Sequence, residues 1–129
     1  MATLEDTMRF ALAILMTFHA VAHLVSVVEA WQLIPDGFPY KTTVFAGRVD
    51  LGDVGIRAVG LVWLFVAIGF LLAAIGAVAG ATWWVPVALG VAASSLLLSF
   101  AELPDARIGV LINLAIIALV IAGRELGWA

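Results

Sequence analysis

Four apolar stretches of the chain are each long enough to cross a lipid bilayer, and this pattern restricts the fold more than any other feature. A membrane-spanning helix needs about 20 mainly apolar residues. In lipid, only helices and closed barrels satisfy every backbone polar group. The sequence therefore predicts an all-α fold, a four-transmembrane-helix bundle with both termini on the same side. The predicted helices span about residues 8–33, 54–79, 85–101 and 108–122 of a single integral membrane domain, 1–129.

The composition supports a membrane class and excludes several functions. Hydrophobic residues make up 65% of the chain and charged residues only 12%, whereas a soluble domain is roughly half apolar and about a quarter charged. The net charge of −3 comes without a basic patch, so no nucleic-acid partner is expected. The absence of cysteine excludes disulfides, thiolate metal sites and covalent haem. The expected location is the cell membrane, as a multi-pass protein with the lipid bilayer as its environment.

The connection between the first two predicted helices is long, and the other two connections are short. Residues 34–50, "IPDGFPYKTTVFAGRVD", are expected to lie on the membrane surface, to fold over the mouth of the bundle as a lid, or to form an ordered loop without a role. The turns "GATWW" and "ELPDAR" join the remaining helices, and Asp105 is predicted to cap the last one.

Polar side chains within the apolar stretches concentrate toward the long loop. His19 and His23 lie one turn apart on one face of the first helix, and ionisable residues inside a membrane usually face the bundle interior and mark functional sites. We predict a polar funnel that opens at the loop side and ends near His19. Its other candidate members are Glu29, Asp50, Asp53, Arg57, Ser95, Ser99, Glu102, Arg107 and Asn113.

Each of these polar residues also has a purely structural interpretation. A membrane histidine can tie two helices together by a hydrogen bond, and the serines of the third helix can be packing residues. Asp53 and Arg57 have the spacing of an i,i+4 ion pair, and Asp50 is placed to cap the second helix. In the same interpretation, Glu102 pairs with Arg57 or Arg107.

Three segments carry a resemblance to a known family: "HAVAHLVSVVEAW", "GRVDLGDVGIRAVGLVW" and "LPDARIGVLINLAI". The chain resembles a widespread bacterial family of small four-helix integral membrane proteins, often labelled "ABC transporter permease" or uncharacterised. Members have a His-x-x-x-His pair in the first helix and an Asp-Ala-Arg/Lys segment leading to an Asn in the last. The resemblance covers most of the chain outside residues 34–45. It implies the fold and places His19, His23, Asp105, Arg107 and Asn113 in the family pattern, but it implies no activity.

The favoured function is an intramembrane acid–base enzyme, of isomerase, cyclase or epoxide-opening type, acting on an apolar lipid or isoprenoid. Burial keeps a carboxyl group protonated as a donor, so Asp53 or Glu102 is predicted as the acid and His19 or His23 as the base. No cofactor is expected, and the ligand is an apolar small molecule. The predicted substrate-binding residues are Trp31, Asp50, Arg57, Trp63, Ser99, Arg107 and Asn113.

Other functions fit the same sequence. One is a small oligomeric transporter or an accessory subunit of a membrane complex, which requires a homodimer or another partner because four helices are few for a carrier. Another is metal binding, in which His19 and His23 are joined by oxygen ligands. The candidate oxygen ligands are Glu29, Asp50, Asp53 and Glu102. A structural or interaction role is the last alternative.

Overall fold

The computed structural model describes all residues, Met1–Ala129, and its architecture is a bundle of four helices. Each helix is long and apolar enough to cross a membrane, so the predicted four-transmembrane-helix bundle is confirmed and the chain is a multi-pass membrane protein. A small antiparallel hairpin interrupts the connection between the first two helices. The elements are α1 Leu4–Ala30, β1 Thr43–Val44, β2 Val49–Asp50, α2 Gly52–Ala79, α3 Trp84–Ala101 and α4 Arg107–Leu126.

The helix ends differ from the predicted ones where polar residues extend or stop an apolar run. Helix α1 begins earlier because Thr3 and Asp6 form a capping box around its first turn. Helix α4 continues to Leu126 and ends at Gly127, which adopts the left-handed conformation. The prediction that Asp105 caps α4 is wrong: the cap position is Ala106, with no side-chain bond, and Asp105 instead forms a salt bridge with Lys41.

The two ends of the bundle are built from different parts of the chain. At one end, here called the terminal end, Arg9, Gly80, Arg124 and Trp128 line a shared cavity, which places both termini beside the α2–α3 turn. At the other, here called the loop end, the long connection meets the α3–α4 turn. There the Phe45 backbone N–H donates to the Ala101 carbonyl at 2.6 Å. The hairpin therefore folds over the end of the bundle.

The apolar core lies in the middle and terminal half of the bundle. Most of its members are alanines or medium-sized apolar side chains, and small residues allow helix backbones to approach closely in a membrane. Large apolar side chains such as Phe65 and Leu97 point outward instead. The fully buried core residues are Met16, Ala20, Ala67, Phe70, Ala73, Ala77, Ala88, Ala92, Ile116 and Val120.

The four helices do not close evenly around this core. Helix α1 packs most extensively against α2, and α3 packs against both α2 and α4. Helices α1 and α4 touch each other at few positions. The bundle is therefore sealed on three sides and loosely joined along the α1–α4 side.

Candidate functional site

The two histidines lie side by side inside the bundle. His19 is 3% exposed and His23 is 5% exposed, and their ring centroids are 4.2 Å apart. Aromatic side chains of α2 pack around them, with Trp63 at 4.6 Å from His23 and Phe70 at 5.1 Å from His19 between ring centroids. These packed rings hold both imidazoles in place.

A buried chain of hydrogen bonds, here called the polar network, links the histidines to α3 and α4. His19 Nε2 lies 3.0 Å from Asn113 Oδ1, and His23 Nε2 lies 2.8 Å from Ser95 Oγ. Asn113 Nδ2 donates to Ser95 Oγ at 2.8 Å and to Ser99 Oγ at 3.5 Å. Side chains of three helices thus meet at one buried point, and this joins the helices as well as orienting the imidazoles.

The Asn113 amide fixes where the proton of a neutral His19 lies. An amide oxygen only accepts, so His19 Nε2 donates to Asn113 and the lone pair of His19 is on Nδ1. This Nδ1 is buried and has no partner in the protein. Ser95 Oγ accepts from Asn113 and keeps a second lone pair and a proton, so the bond between Ser95 and His23 fits either tautomer of His23.

Glu102 lies directly after α3 and faces the same interior space. The Trp63 indole N–H donates to Glu102 Oε1 at 3.1 Å. Burial raises the pKa of the Glu102 carboxyl above its ordinary value of 4.5, against the lowering effects of the Trp63 bond and of Lys41. The expected ion pairs of Glu102 with Arg57 or Arg107 do not form, since the salt bridges of the chain are Arg9–Asp6 and Lys41–Asp105.

Two adjoining cavities connect the loop end with the histidines. The inner cavity has a volume of about 190 Å³, and its walls include His19, His23, Trp63, Ser99 and Glu102. The outer cavity has a volume of about 400 Å³ and lies beneath the loop. Ser26 and Glu102 line both cavities, so Glu102 stands at their junction.

Two predicted carboxylates lie outside these cavities. Asp53 is exposed on the first turn of α2 and accepts a hydrogen bond from the Tyr40 hydroxyl; it forms no ion pair with Arg57. Asp50 accepts from Thr42 Oγ1 at 2.7 Å and from the Gly52 backbone N–H at 3.0 Å. These two bonds lower the pKa of Asp50 below its usual range. Asp50 thus ties the hairpin to the start of α2, close to the expected capping role.

Three predicted substrate-binding residues also face outward. The Trp31 indole N–H donates to the Arg57 carbonyl at 3.1 Å, and the Arg57 guanidinium lies 5.8 Å from the Trp31 ring centroid. Arg107 is exposed at the start of α4 and forms no ion pair. None of the three lines the inner or outer cavity. These three side chains therefore lie outside the predicted funnel.

Several residues of the site are missed or undervalued by sequence reasoning. The sequence favours a packing role for Ser95, but this serine is the junction of the polar network. Its spacing of four residues from Ser99, on the face that leads to Glu102, is the available signal. Lys41 and Asp105, which meet across the outer cavity, carry no such signal because they are far apart in sequence.

The metal alternative finds no assembled ligand set. No group of three or more histidine, aspartate or glutamate side chains is arranged to hold a metal ion, and the Nε2 atoms of both histidines are engaged in the polar network. Asp50 and Asp53 lie on the outer face of the bundle, away from the histidines, and so cannot complete a ligand set with them.

In comparisons with known proteins, no family model, no curated protein and no solved structure matches the chain.

Proposed function

We propose that the protein is an intramembrane acid–base enzyme that acts on an apolar, membrane-dissolved molecule such as a lipid or an isoprenoid. One observation carries the proposal: a half-buried carboxyl group and two buried imidazoles line the same inner cavity. Such a cavity supplies a proton donor and a proton acceptor away from bulk water. The reaction types that need this pair are isomerisation, cyclisation and epoxide opening. We also propose that the protein lies in the cell membrane and belongs to the bacterial family of small four-helix membrane proteins that its sequence resembles.

Glu102 is the acid in this proposal. Burial raises the pKa of its carboxyl group and so favours the protonated form. The Trp63 indole bond fixes one oxygen and leaves the other free to present a proton to a molecule in the inner cavity. A protonated carboxyl near neutral pH is a common general acid.

The histidine pair is the base. Asn113 orients His19 so that the lone pair on Nδ1 is unpaired within the protein, and Ser95 orients His23. A proton removed from the substrate is taken up by this pair while Glu102 supplies another. After each turnover the proton returns to Glu102 by way of the outer cavity, which both reaches the loop end and touches Glu102.

The polar network stops at the middle of the bundle, and this position favours an enzyme over a transporter. On the terminal side of His19, the interior is filled by apolar side chains that are fully buried, including Met16, Ile116 and Val120. A proton or ion pathway needs polar groups along its length, and here the polar groups stop at the middle of the bundle. This one-sided arrangement suits a reaction cavity, whereas transport requires a second copy or another chain to continue the path.

The test compares membranes that contain the wild type with membranes that contain Glu102→Gln. Glutamine keeps an oxygen that accepts from Trp63 but has no acidic proton, so the fold is expected to persist. Incubation with a total lipid extract, followed by untargeted mass spectrometry, is expected to show a substrate–product pair only with the wild type. General acid catalysis contributes about 10²–10⁴-fold, so product formation should fall by that factor in the variant.

A matched control is Glu125→Gln, an exposed glutamate near the terminal end. This variant is expected to form product at the wild-type rate. The proposal fails if wild-type membranes convert no apolar molecule that empty membranes leave unchanged. It also fails if Glu102→Gln converts that molecule as fast as the wild type.

A further inference from the structure

The inner cavity has an opening toward the lipid along the loosely joined α1–α4 side. Ala22 of α1 and Ile108 of α4 both line this cavity, and both are exposed on the outer surface of the bundle. Ile108 is 65% exposed. A residue that faces both the cavity and the outside marks a rim. A molecule in the inner cavity can therefore extend between α1 and α4 into the bilayer.

The cavity sizes indicate how a ligand is divided between protein and lipid. Sites for small molecules usually measure about 300–1,000 Å³, and the inner cavity of about 190 Å³ holds only a part of such a molecule. The adjoining outer cavity of about 400 Å³ holds a polar end, and the opening at Ala22 admits a hydrocarbon tail. This geometry fits a single-chain amphiphile that bends through both cavities.

The charges of the outer cavity select the polar end. Its ionisable side chains are Glu29, Glu102, Asp105 and Lys41. Lys41 is already bound to Asp105, which leaves Glu29 and Glu102 without a cationic partner. Because the proposed function takes Glu102 as the protonated acid, Glu29 is the group that accepts a hydrogen bond from a ligand and repels an anion.

A second observation points to a ligand with the same chemistry. His19 lines the inner cavity and is 3% exposed, and its Nδ1 lone pair has no donor within the protein. An unsatisfied buried acceptor is costly, and native proteins rarely leave one without a partner. A hydroxyl or amine group that reaches the inner cavity would supply the donor that His19 Nδ1 lacks.

We propose that the two cavities form one binding site for a single-chain amphiphile whose head group donates hydrogen bonds, an alcohol or an amine, and whose tail leaves between α1 and α4. The inference rests on the proposed function, because it names the substrate class of the same cavity. Phosphate and carboxylate head groups are excluded from this site by Glu29, which has no cationic partner.

The test uses the fact that the chain has no cysteine. A single Ser26→Cys substitution places a thiol where both cavities meet, and its labelling by a maleimide is followed in phosphatidylcholine nanodiscs at neutral pH. The probes are 1-dodecanol, dodecylamine and dodecyl phosphate at equal ratio to lipid. The alcohol, the amine or both are expected to slow labelling several-fold. Dodecyl phosphate is expected to leave the rate unchanged.

The two permitted head groups are separated by the same experiment. Protection by the amine alone identifies a cation held by Glu29, and protection by the alcohol alone identifies a neutral hydroxyl group. Both results support the proposal. Equal protection by dodecyl phosphate, or protection by none of the three, overturns it.

The tail path is tested by filling the opening in the Ser26→Cys background. Ala22→Phe is expected to abolish protection, while Ala93→Phe, at an exposed alanine of α3 away from both cavities, is expected to keep it. Ala22→Leu is a smaller obstruction for use if the phenylalanine variant unfolds. Undiminished protection in a folded Ala22 variant contradicts the lateral path. Protection without lipid turnover would refute the enzyme alone, whereas turnover without protection would refute this binding site alone.

Discussion

The loop half and the terminal half of the bundle are built from the same four helices but differ in what their interiors contain. Apart from the cavity at its outer end, the interior of the terminal half is apolar and close-packed, with buried alanines and with Gly76 against Trp83 and Trp84. In the loop half the interior holds the histidines, the polar network, Glu102 and two cavities. The close-packed apolar residues and the polar cavities therefore lie in opposite halves of the bundle.

The physical reasons for the two interiors are different. Lipid tails are as apolar as the core, so helices associate in a membrane through close packing and a few interhelical hydrogen bonds. The terminal half uses close packing, which small residues make possible. The loop half uses hydrogen bonds from His19, His23 and Asn113, each worth roughly 0.6 kcal/mol on average in a membrane protein. Stability is therefore expected to depend mainly on the terminal half and activity on the loop half.

The largest stability effect is expected from crowding the terminal half. A Cβ atom on Gly76 would lie 2.8 Å from a ring atom of Trp83 and from Cβ of Trp84, so Gly76→Leu must displace both side chains. The expected loss in the free energy of unfolding is about 1–3 kcal/mol, measured by thermal unfolding in detergent. Gly90→Leu is the matched control, because a Cβ atom on Gly90 would have no neighbouring atom within 4 Å. Equal unfolding midpoints for the two variants would show that close packing around Gly76 does not stabilise the terminal half.

A smaller loss is expected from breaking the polar network. Asn113→Leu removes the partner of His19 Nε2 and one of the two partners of Ser95 Oγ, and it leaves the buried His19 Nε2 unpaired. The expected loss is about 1–2 kcal/mol, with the same measurement. In Ser94→Ala, by contrast, only a bond of the hydroxyl to the Gly90 carbonyl of its own helix is lost, and no change is expected. If both variants unfold at the wild-type midpoint, the network does not hold the helices together.

Because Glu102 titrates in the loop half, the stability of the protein is expected to depend on pH. Because burial raises its pKa in the folded state above 4.5, the folded chain binds more protons than the unfolded chain above that pH. This contribution to stability is present at low pH and is lost as the pH rises from about 4.5 through the folded-state value. The groups that face the carboxyl are Trp63, Lys41, Asp105 and Glu29.

Glu102→Gln removes this contribution. Unfolding midpoints measured at a series of pH values above 4.5 are expected to fall more steeply for the wild type than for the variant. Parallel pH profiles of the two proteins would show that the Glu102 carboxyl titrates as an ordinary exposed group.

The smallest effect is expected at Asp53, which the sequence favoured as the acid equally with Glu102. Asp53 lies outside both cavities and bonds Tyr40, so Asp53→Asn is expected to keep both stability and product formation, in contrast to Glu102→Gln. Side-by-side product formation by the two variants measures this contrast. A loss of product in the Asp53 variant would move the reaction from the inner cavity to the outer face of the bundle.

Much of the fold was predictable because a bilayer leaves few choices for long apolar segments. The four helices follow from four apolar stretches, and His19, His23, Ser99, Glu102 and Asn113 come together as helical spacing suggests. Side chains one turn apart share a face, and a polar face within a membrane turns inward. This argument is reliable only deep in the helices, where the alternative is lipid.

The other predicted site residues lie outside the two cavities and near the helix ends, where a polar side chain need not face inward. Asp53, Arg57 and Arg107 lie in the first turns of α2 and α4, where polar head groups and water can solvate a side chain that points outward. The hairpin was not predictable either. Its turn bonds through the Phe45 backbone to the end of α3, and no local sequence pattern records a contact between such distant positions.

Native mass spectrometry of the protein extracted gently with its own lipids tests most directly whether the loop-half cavity holds an apolar molecule. We expect a small apolar molecule bound to the wild type and retained unreacted by Glu102→Gln. We also expect Ala22→Phe to release this molecule and Ala93→Phe to retain it. A bare chain in every variant, or a chain found only in a complex with other proteins, would show that the cavity holds no such molecule.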